Sequence, residues 1–294
     1  GDVFIGEEGL DITEGIGTAR QIAWWQPGTN TETEQPADIQ NVLYPRRFFV
    51  DPDIYLGKTG VWYQWENGQK GESVAIVRDP SIDLAVWNQN SSEILSLYED
   101  IIAGDYVNFG IKTNLNHIIE QRGKDLPIEE CGIIDISGYQ NTTNVQYDSL
   151  KGPLFSEPDK DISLKNLAVN PEDNIRWWWP LNDQVTSGWN TGILDSNKNR
   201  LYPNGEYTFT AEVTLNNISQ NYPAESRVGK VISKQNRLTI DEDRIIVNIT
   251  SSSMRSTRSN AIPSMPFYRN SSSIFANVYG KPNKEYIITI MDCD

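Results

Sequence analysis

Strand-like runs three to eight residues long, punctuated by turn residues at short intervals, recur along nearly the whole of this 294-residue chain. They constrain its fold more than any other feature, because period-2 alternation is the signature of a half-buried β-strand. The runs are VFI (3–5), QIAWW (21–25), VWYQW (61–65), SVAIVR (73–78), DLAVW (83–87), YVNFGIKT (106–113), GIIDI (132–136), IRWWW (175–179), RVGKVIS (227–233), RIIVNIT (244–250) and SIFANVYG (273–280). Two further strands open on nearly the same phrase. Pro203-Asn204-Gly205-Glu206-Tyr207 leads into TFTAEV, and Pro282-Asn283-Lys284-Glu285-Tyr286 leads into IITIMD, 79 residues later. In the first copy Tyr207, Phe209, Ala211 and Val213 share one face; in the second Tyr286, Ile288 and Ile290 do. That spacing suits a small β-sandwich, so the fold class read here is all-β with tandem sandwich units.

Turn-rich gaps suggest the boundaries. They are an N-terminal β segment over 1–70 and sandwiches over 71–150, 151–222 and 223–294. The first segment carries the polar, loop-like QPGTNTETEQPADIQ (26–40), and its strands either complete the first sandwich or pair with a neighbouring copy. SEILSLYEDII (92–102) spaces Ile94, Leu97, Tyr98 and Ile101 as a helix would, yet Gly104 follows closely; one helix or two short strands fit it equally.

Charge narrows the function classes. With 25 basic and 40 acidic residues the net charge is -15, which repels phosphate backbones and anionic lipid. No apolar run approaches the roughly 18–20 residues of a membrane span. The chain opens at Gly1 with no basic or apolar leader, which reads as a mature protein whose secretion signal has been removed.

Catalytic motifs are sparse. His117 is the single histidine, so a histidine-rich zinc site is excluded, and no cysteine pair has metal-ligand spacing. A P-loop, a dinucleotide-binding glycine turn and a serine-nucleophile elbow are all missing from the sequence. Asp241-Glu242-Asp243 and Asp292-Cys293-Asp294 lack the spacing of a defined calcium loop and read as solvated charge. The expectation is a protein that is not an enzyme and uses no cofactor, with a secreted glycosidase as the residual catalytic option.

Other residues point to contacts. Trp177 and Trp179 fall on one strand face and Trp178 on the other; they suit either burial against a neighbouring domain or subunit, or a sugar-stacking platform. Asn90, Asn141, Asn217, Asn248 and Asn270 head Asn-x-Ser/Thr sequons in turn-like or outward-facing positions and are candidate N-glycosylation sites. Cys131 and Cys293 can form one internal disulfide or two intermolecular links; a cysteine one residue from the end of the chain is well placed to reach a neighbour. In the basic, low-complexity SSSMRSTRSN (251–260), Arg255 and Arg258 are candidates to dock on the acidic face of another copy.

VFIGEEGLDI (3–12), IYLGKTGVWYQW (54–65) and AGDYVNFGIKTNL (103–115) resemble the secreted cell-envelope proteins of methanogenic archaea, which carry a similar V-F-I-G-E-E-G-L-D phrase just after the signal peptide. The resemblance implies immunoglobulin-like β-domains in an S-layer, or in a tubular sheath of stacked hoops held by subunit contacts and disulfides. Anchored members carry a Thr/Pro-rich stalk and a C-terminal membrane helix; the sequence given has neither, which favours a self-assembling sheath.

Together these readings describe an extracellular structural protein that polymerises with itself through strand edges and disulfides into an envelope layer, giving mechanical protection and a permeability barrier. N-linked glycans and divalent cations are its expected small partners, with no nucleic acid and no membrane insertion. IIVNIT (245–250) and YIITIM (286–291) have the β-propensity for β-arch, amyloid-like stacking between subunits, with charges flanking both as gatekeepers. The competing reading is a monomeric carbohydrate-binding adhesin that uses exposed tryptophans. A non-reducing gel beside a reducing one tests the cysteines: a ladder that collapses on reduction is expected, and identical monomer bands would rule out intermolecular cystines.

Overall fold

Alternating apolar residues become half-buried strands wherever a partner covers one face, and strands dominate the protein's computed structural model. It describes residues 1–89, 93–95, 98–115, 118, 132–154, 157–168, 175–177, 188–241, 246–251 and 274–279. The chain divides into two compact units, Gly1–Asp241 and Glu242–Asp294.

The first five strands are β1 (Asp2–Phe4), β2 (Gln21–Trp24), β3 (Asp38–Asn41), β4 (Gly60–Glu66) and β5 (Gln69–Arg78). They form one sheet in the order β1-β5-β4-β2-β3, antiparallel except for β1, which runs parallel to β5 with Asp2 opposite Ile76. The N-terminal strands therefore pair within their own chain. Ile22, Trp24 and Trp62 turn to the core face, where the two indoles stack at 6.4 Å. Ala23, Trp25, Tyr63 and Trp65 turn to the opposite face and make a separate small cluster.

Thirteen more strands complete the first unit among the described residues. They are β6 (Ile82–Asn88), β7 (Glu93–Ile94), β8 (Tyr98–Ile102), β9 (Tyr106–Thr113), β10 (Gly132–Gln140), β11 (Val145–Tyr147), β12 (Ser149–Leu154), β13 (Glu157–Ser163), β14 (Leu167–Ala168), β15 (Ile175–Trp177), β16 (Trp189–Asn190), β17 (Gly205–Val213) and β18 (Asn236–Asp241). One sheet runs β15-β9-β6-β7, with β16 also on β9; another runs β11-β10-β17-β18-β8, with β14 on β10; β12 and β13 form a hairpin. The two larger sheets pack face to face. Phe109 of β9 meets Phe209 of β17 with ring centres 4.9 Å apart, and the fully buried Trp189 lies 5.6 Å from Phe209 and 5.7 Å from Tyr207. Asn236 on β18 donates through Nδ2 to Leu84 O on β6 at 2.8 Å, so this inward-facing amide is satisfied across the layer.

Strand pairing crosses the turn-rich gaps read as boundaries. The β4–β5 hairpin spans residue 70, and β10, β17 and β18 of one sheet come from both sides of 150 and 222. The ambiguous 92–102 segment resolves into two strands, β7 and β8, because β8 finds a distant parallel partner in β18. RVGKVIS (227–233), read as a strand, is a tight turn with isolated bridges. Gly229 takes φ +80° there, and the carbonyl of Arg227 accepts from the N–H groups of Lys230, Val231 and Ile232. In the second unit, β19 (Ile246–Ser251) and β20 (Ile274–Tyr279) form an antiparallel ladder with Asn248 opposite Asn277.

The first Pro-Asn-x-Glu-Tyr phrase now has a physical reading. Tyr207 reaches back four residues to donate its hydroxyl to Pro203 O at 2.7 Å, a tyrosine corner that pins the entry of the central strand β17. Tyr207, Phe209, Ala211 and Val213 are all buried, as the alternation predicts. The second copy lies outside the described residues.

The two parts of the first unit are joined by the opening phrase VFIGEEGLD. Glu7 is fully buried, and its Oε2 accepts from Phe4 N–H at 3.1 Å while its Oε1 accepts from Asn216 Nδ2 at 2.8 Å. Gly6, at φ +94°, lets the backbone pass so close that a Cβ would sit 3.0 Å from Ile218 O. Glu8 receives the amides of Asn217 and Asn221, and Asp79 accepts from Tyr222 Oη at 2.6 Å and Lys230 Nζ at 2.5 Å. Replacing Glu7 by Ala strands the buried Phe4 N–H and releases the exposed Asn216 amide from its acceptor, so urea unfolding should show a loss of about 1–3 kcal/mol. A loss within about 0.5 kcal/mol, the range of an ordinary surface change, would contradict the clasp.

Burial raises the phenol of Tyr202 to about 12, and burial likewise lifts Tyr55, Tyr207 and Tyr222, with the Asp79 hydrogen bond adding to the last. Their folded values lie above that of an unfolded tyrosine, about 10. Their contribution to stability is thus complete below about pH 10 and lost as pH climbs through the folded values. Alkaline unfolding followed by circular dichroism should coincide with tyrosinate absorbance for these side chains; ionisation of all of them with the fold intact would refute this.

Candidate assembly surface

The feature that most resembles a contact surface lies where the first sheet ends. β3 pairs with β2 alone among the described residues, leaving its second edge open. An open edge is a template for another strand unless it is covered, charged or bent away. Here the residues that follow it are apolar. Leu43 is 78% exposed and Tyr44 74%, and Ile39, Phe49 and Leu56 add exposed apolar surface in the same stretch of chain.

The backbone under these side chains is held firmly. Val42 N–H donates to Arg20 O at 2.9 Å, Ile12 N–H to Pro45 O at 2.8 Å, and Phe48 exchanges two hydrogen bonds with Leu10 at 2.8 and 3.1 Å. Val42, Phe48 and Val50 fill the core from the same segment, and residues Pro45–Arg47 close a short 3-10 turn. Leu43 and Tyr44 therefore stand on a fixed ridge, so little ordering entropy opposes their use in a contact.

Arg46 and Arg47 are exposed beside the ridge in a chain of net charge -15. The carboxyl of Asp11 is held below its usual range, chiefly by the Thr13 hydroxyl at 2.5 Å and the Thr13 N–H at 2.9 Å, with the Arg46 charge contributing least. Two smaller exposed apolar spots mark other sheet ends: Ile94 on β7, and Val145 on β11 with Tyr139 on the adjacent β10.

The residues singled out from sequence are distributed differently. Trp177 belongs to β15, whose backbone pairs with β9 so that Trp177 lies opposite Gly110 at a sheet end. Asn141 is exposed at the β10–β11 turn, with its amide donating to the carboxylate of Glu206. Asn217 is exposed in a left-handed conformation at φ 58°, its Nδ2 bonded to Glu8. Asn248 lies on β19. Cys131, Cys293, Asn90, Asn270, Trp178, Trp179, Arg255, Arg258 and His117 lie outside the described residues. The ridge went unread, although Val42-Leu43-Tyr44-Pro45 does break the polar-apolar alternation just before a proline, where no strand can hide both faces.

Among the described residues no group of three or more histidine, cysteine, aspartate or glutamate side chains is arranged to hold a metal ion, and no helix is long and apolar enough to cross a membrane. Comparison with curated proteins finds no match. One family does match, over residues 1–220, a span holding the first sheet, the Glu7 clasp and most of the two-sheet body. The chain belongs to that family, described as Domain of unknown function (DUF3821).

Proposed function

We propose that this is a structural protein that polymerises with copies of itself into an extracellular envelope layer, a sheath or an S-layer, giving mechanical protection and limiting permeability. The observation that carries the reading is the rigid Leu43–Tyr44 ridge beside the open edge of β3. A second copy is the occupant that best fits. Its acidic surface complements Arg46 and Arg47, and a strand edge on it can extend the sheet by backbone hydrogen bonding. A contact between different surfaces on identical copies propagates as a ring or a filament, the geometry an enclosing layer needs.

Several features belong to the same proposal. The modules are immunoglobulin-like sandwiches, a reading that the tyrosine corner at Tyr207 supports. Cys131 and Cys293 lock contacts between copies, Arg255 and Arg258 assist docking, and glycans on exposed sequons such as Asn141 line the gaps. The acidic surface passes small solutes and cations more readily than polyanions and attracts divalent cations. The protein performs no catalysis and works outside the cell.

Burying Leu43 and Tyr44 offers about 1.5–3 kcal/mol per side chain before the costs of association. A Leu43→Ser, Tyr44→Asp double variant should keep its circular dichroism and thermal transition while association, measured by sedimentation velocity and electron microscopy, weakens at least about tenfold. Assembly unchanged in the variant would remove the ridge from the contact. A wild-type protein that stays monomeric at high concentration would sink the envelope reading itself.

A further inference from the structure

On the other face of the first sheet a cavity of about 380 Å³ opens between the 26–37 loop and the β4–β5 hairpin. Its size is that of small-molecule sites, roughly 300–1,000 Å³. Trp25 and Trp65 form one wall, their rings 5.8 Å apart in an edge-on arrangement, and Tyr63 packs on Trp25 at the same distance. The remaining wall is made of polar side chains, among them Glu32, Gln35, Gln69 and Lys70.

The indole N–H groups distinguish this wall from the rest of the sheet. Those of Trp24, Trp25 and Trp62 donate to the carbonyls of Thr59, Glu34 and Lys58 at 2.9, 2.9 and 3.1 Å. That of Trp65 has no acceptor among the described residues, although the residue lines the cavity. This N–H is not among the buried polar atoms left without a partner, so it reaches solvent and is open to an acceptor supplied by a ligand. Lys70 is fixed beside it, paired with Glu32, bonded to Thr31 Oγ1 at 2.9 Å and held 4.8 Å above the ring of Tyr63.

We propose that this cavity binds a neutral sugar unit. Hydroxyl groups both donate and accept, so they match a wall that mixes carboxylate and amide acceptors with ammonium, amide and indole donors. Trp25 and Trp65 are only 5% and 9% exposed, so they offer little stacking surface and recognition rests on the polar groups around the cavity. Glu32 and Glu34 outweigh the single Lys70, and the chain as a whole is acidic, which disfavours uronic acids and sugar phosphates. An apolar ligand would leave these polar groups unpaired. The site is independent of the β3 ridge, so it stands or falls apart from the assembly reading.

The test follows the indole N–H signals of the full chain by nitrogen-edited NMR, with the Trp65 signal identified by its loss in Trp65→Phe. Cellotriose, chitotriose and mannotriose are the probes, with glucuronate as the charged control. At least one neutral trisaccharide should move the Trp65 and Trp25 signals saturably, and glucuronate should not. Gln69→Ala, an exposed change that spares the aromatic cluster, should weaken that binding about three- to tenfold, the effect of one lost hydrogen bond. No movement with any of the three sugars, equal movement with glucuronate, or an unaltered affinity in Gln69→Ala would each overturn the proposal.

Discussion

A buried carboxylate must be paired, and Glu7 meets that requirement by tying together parts of the chain 209 residues apart. Its two oxygens collect the Phe4 N–H at the end of β1 and the Asn216 amide in the short turns after β17. Neither donor can be released without leaving charge in the interior, so the contact behaves as a latch rather than as a surface salt bridge, whose median value is about 0–1 kcal/mol. Gly6 and the Asp79–Tyr222–Lys230 contacts flank it. Further along, Glu7 O accepts from Val50 N–H and Gly6 N–H donates to Val50 O, so the same latch steadies the segment that carries Leu43 and Tyr44.

Much of this arrangement was legible in the residues, and the exceptions have physical causes. Alternation located β17, whose Thr210 and Glu212 stay part-exposed opposite the core, and it located β9 by its apolar register although both faces are buried over Val107–Ile111. It missed β18, where Asn236 occupies an inward position; only the long-range bond to Leu84 O makes an amide acceptable there. In 92–102 it could not choose between helix and strand, since the deciding partner is β18, well over a hundred residues on. RVGKVIS misled because Val228, Val231 and Ile232 suggest a strand while Gly229 turns the chain back on itself. Local composition cannot report a partner or a positive φ before the fold supplies the reason for it.

The tryptophans give the same lesson at the level of sites. Trp24 and Trp25 are adjacent, so a strand must send them to opposite faces, yet nothing in the pair says which face meets the core. The fold sends Trp24 onto Trp62 and Trp25 onto Trp65. The first pair is packing alone, with both indole N–H groups satisfied by backbone. The second pair borders a polar cavity, and the Trp65 indole N–H has no acceptor among the described residues, a distinction that only hydrogen-bond accounting can make.

The self-association proposed above would have to overcome a general repulsion between copies of net charge -15. Screening shortens the range of that repulsion to about 10 Å at 0.1 M salt, whereas burial of Leu43 and Tyr44 is a contact effect that salt leaves in place. The local attraction between Arg46–Arg47 and an acidic neighbour is screened as well, but it acts at short range, where screening is weakest. In the proposed assembly, moderate salt and cations would favour association, by removing a long-range penalty more than a short-range gain. In that proposal the two arginines would serve orientation, making one approach of an acidic copy less repulsive than others and presenting the edge of β3 to it in one direction.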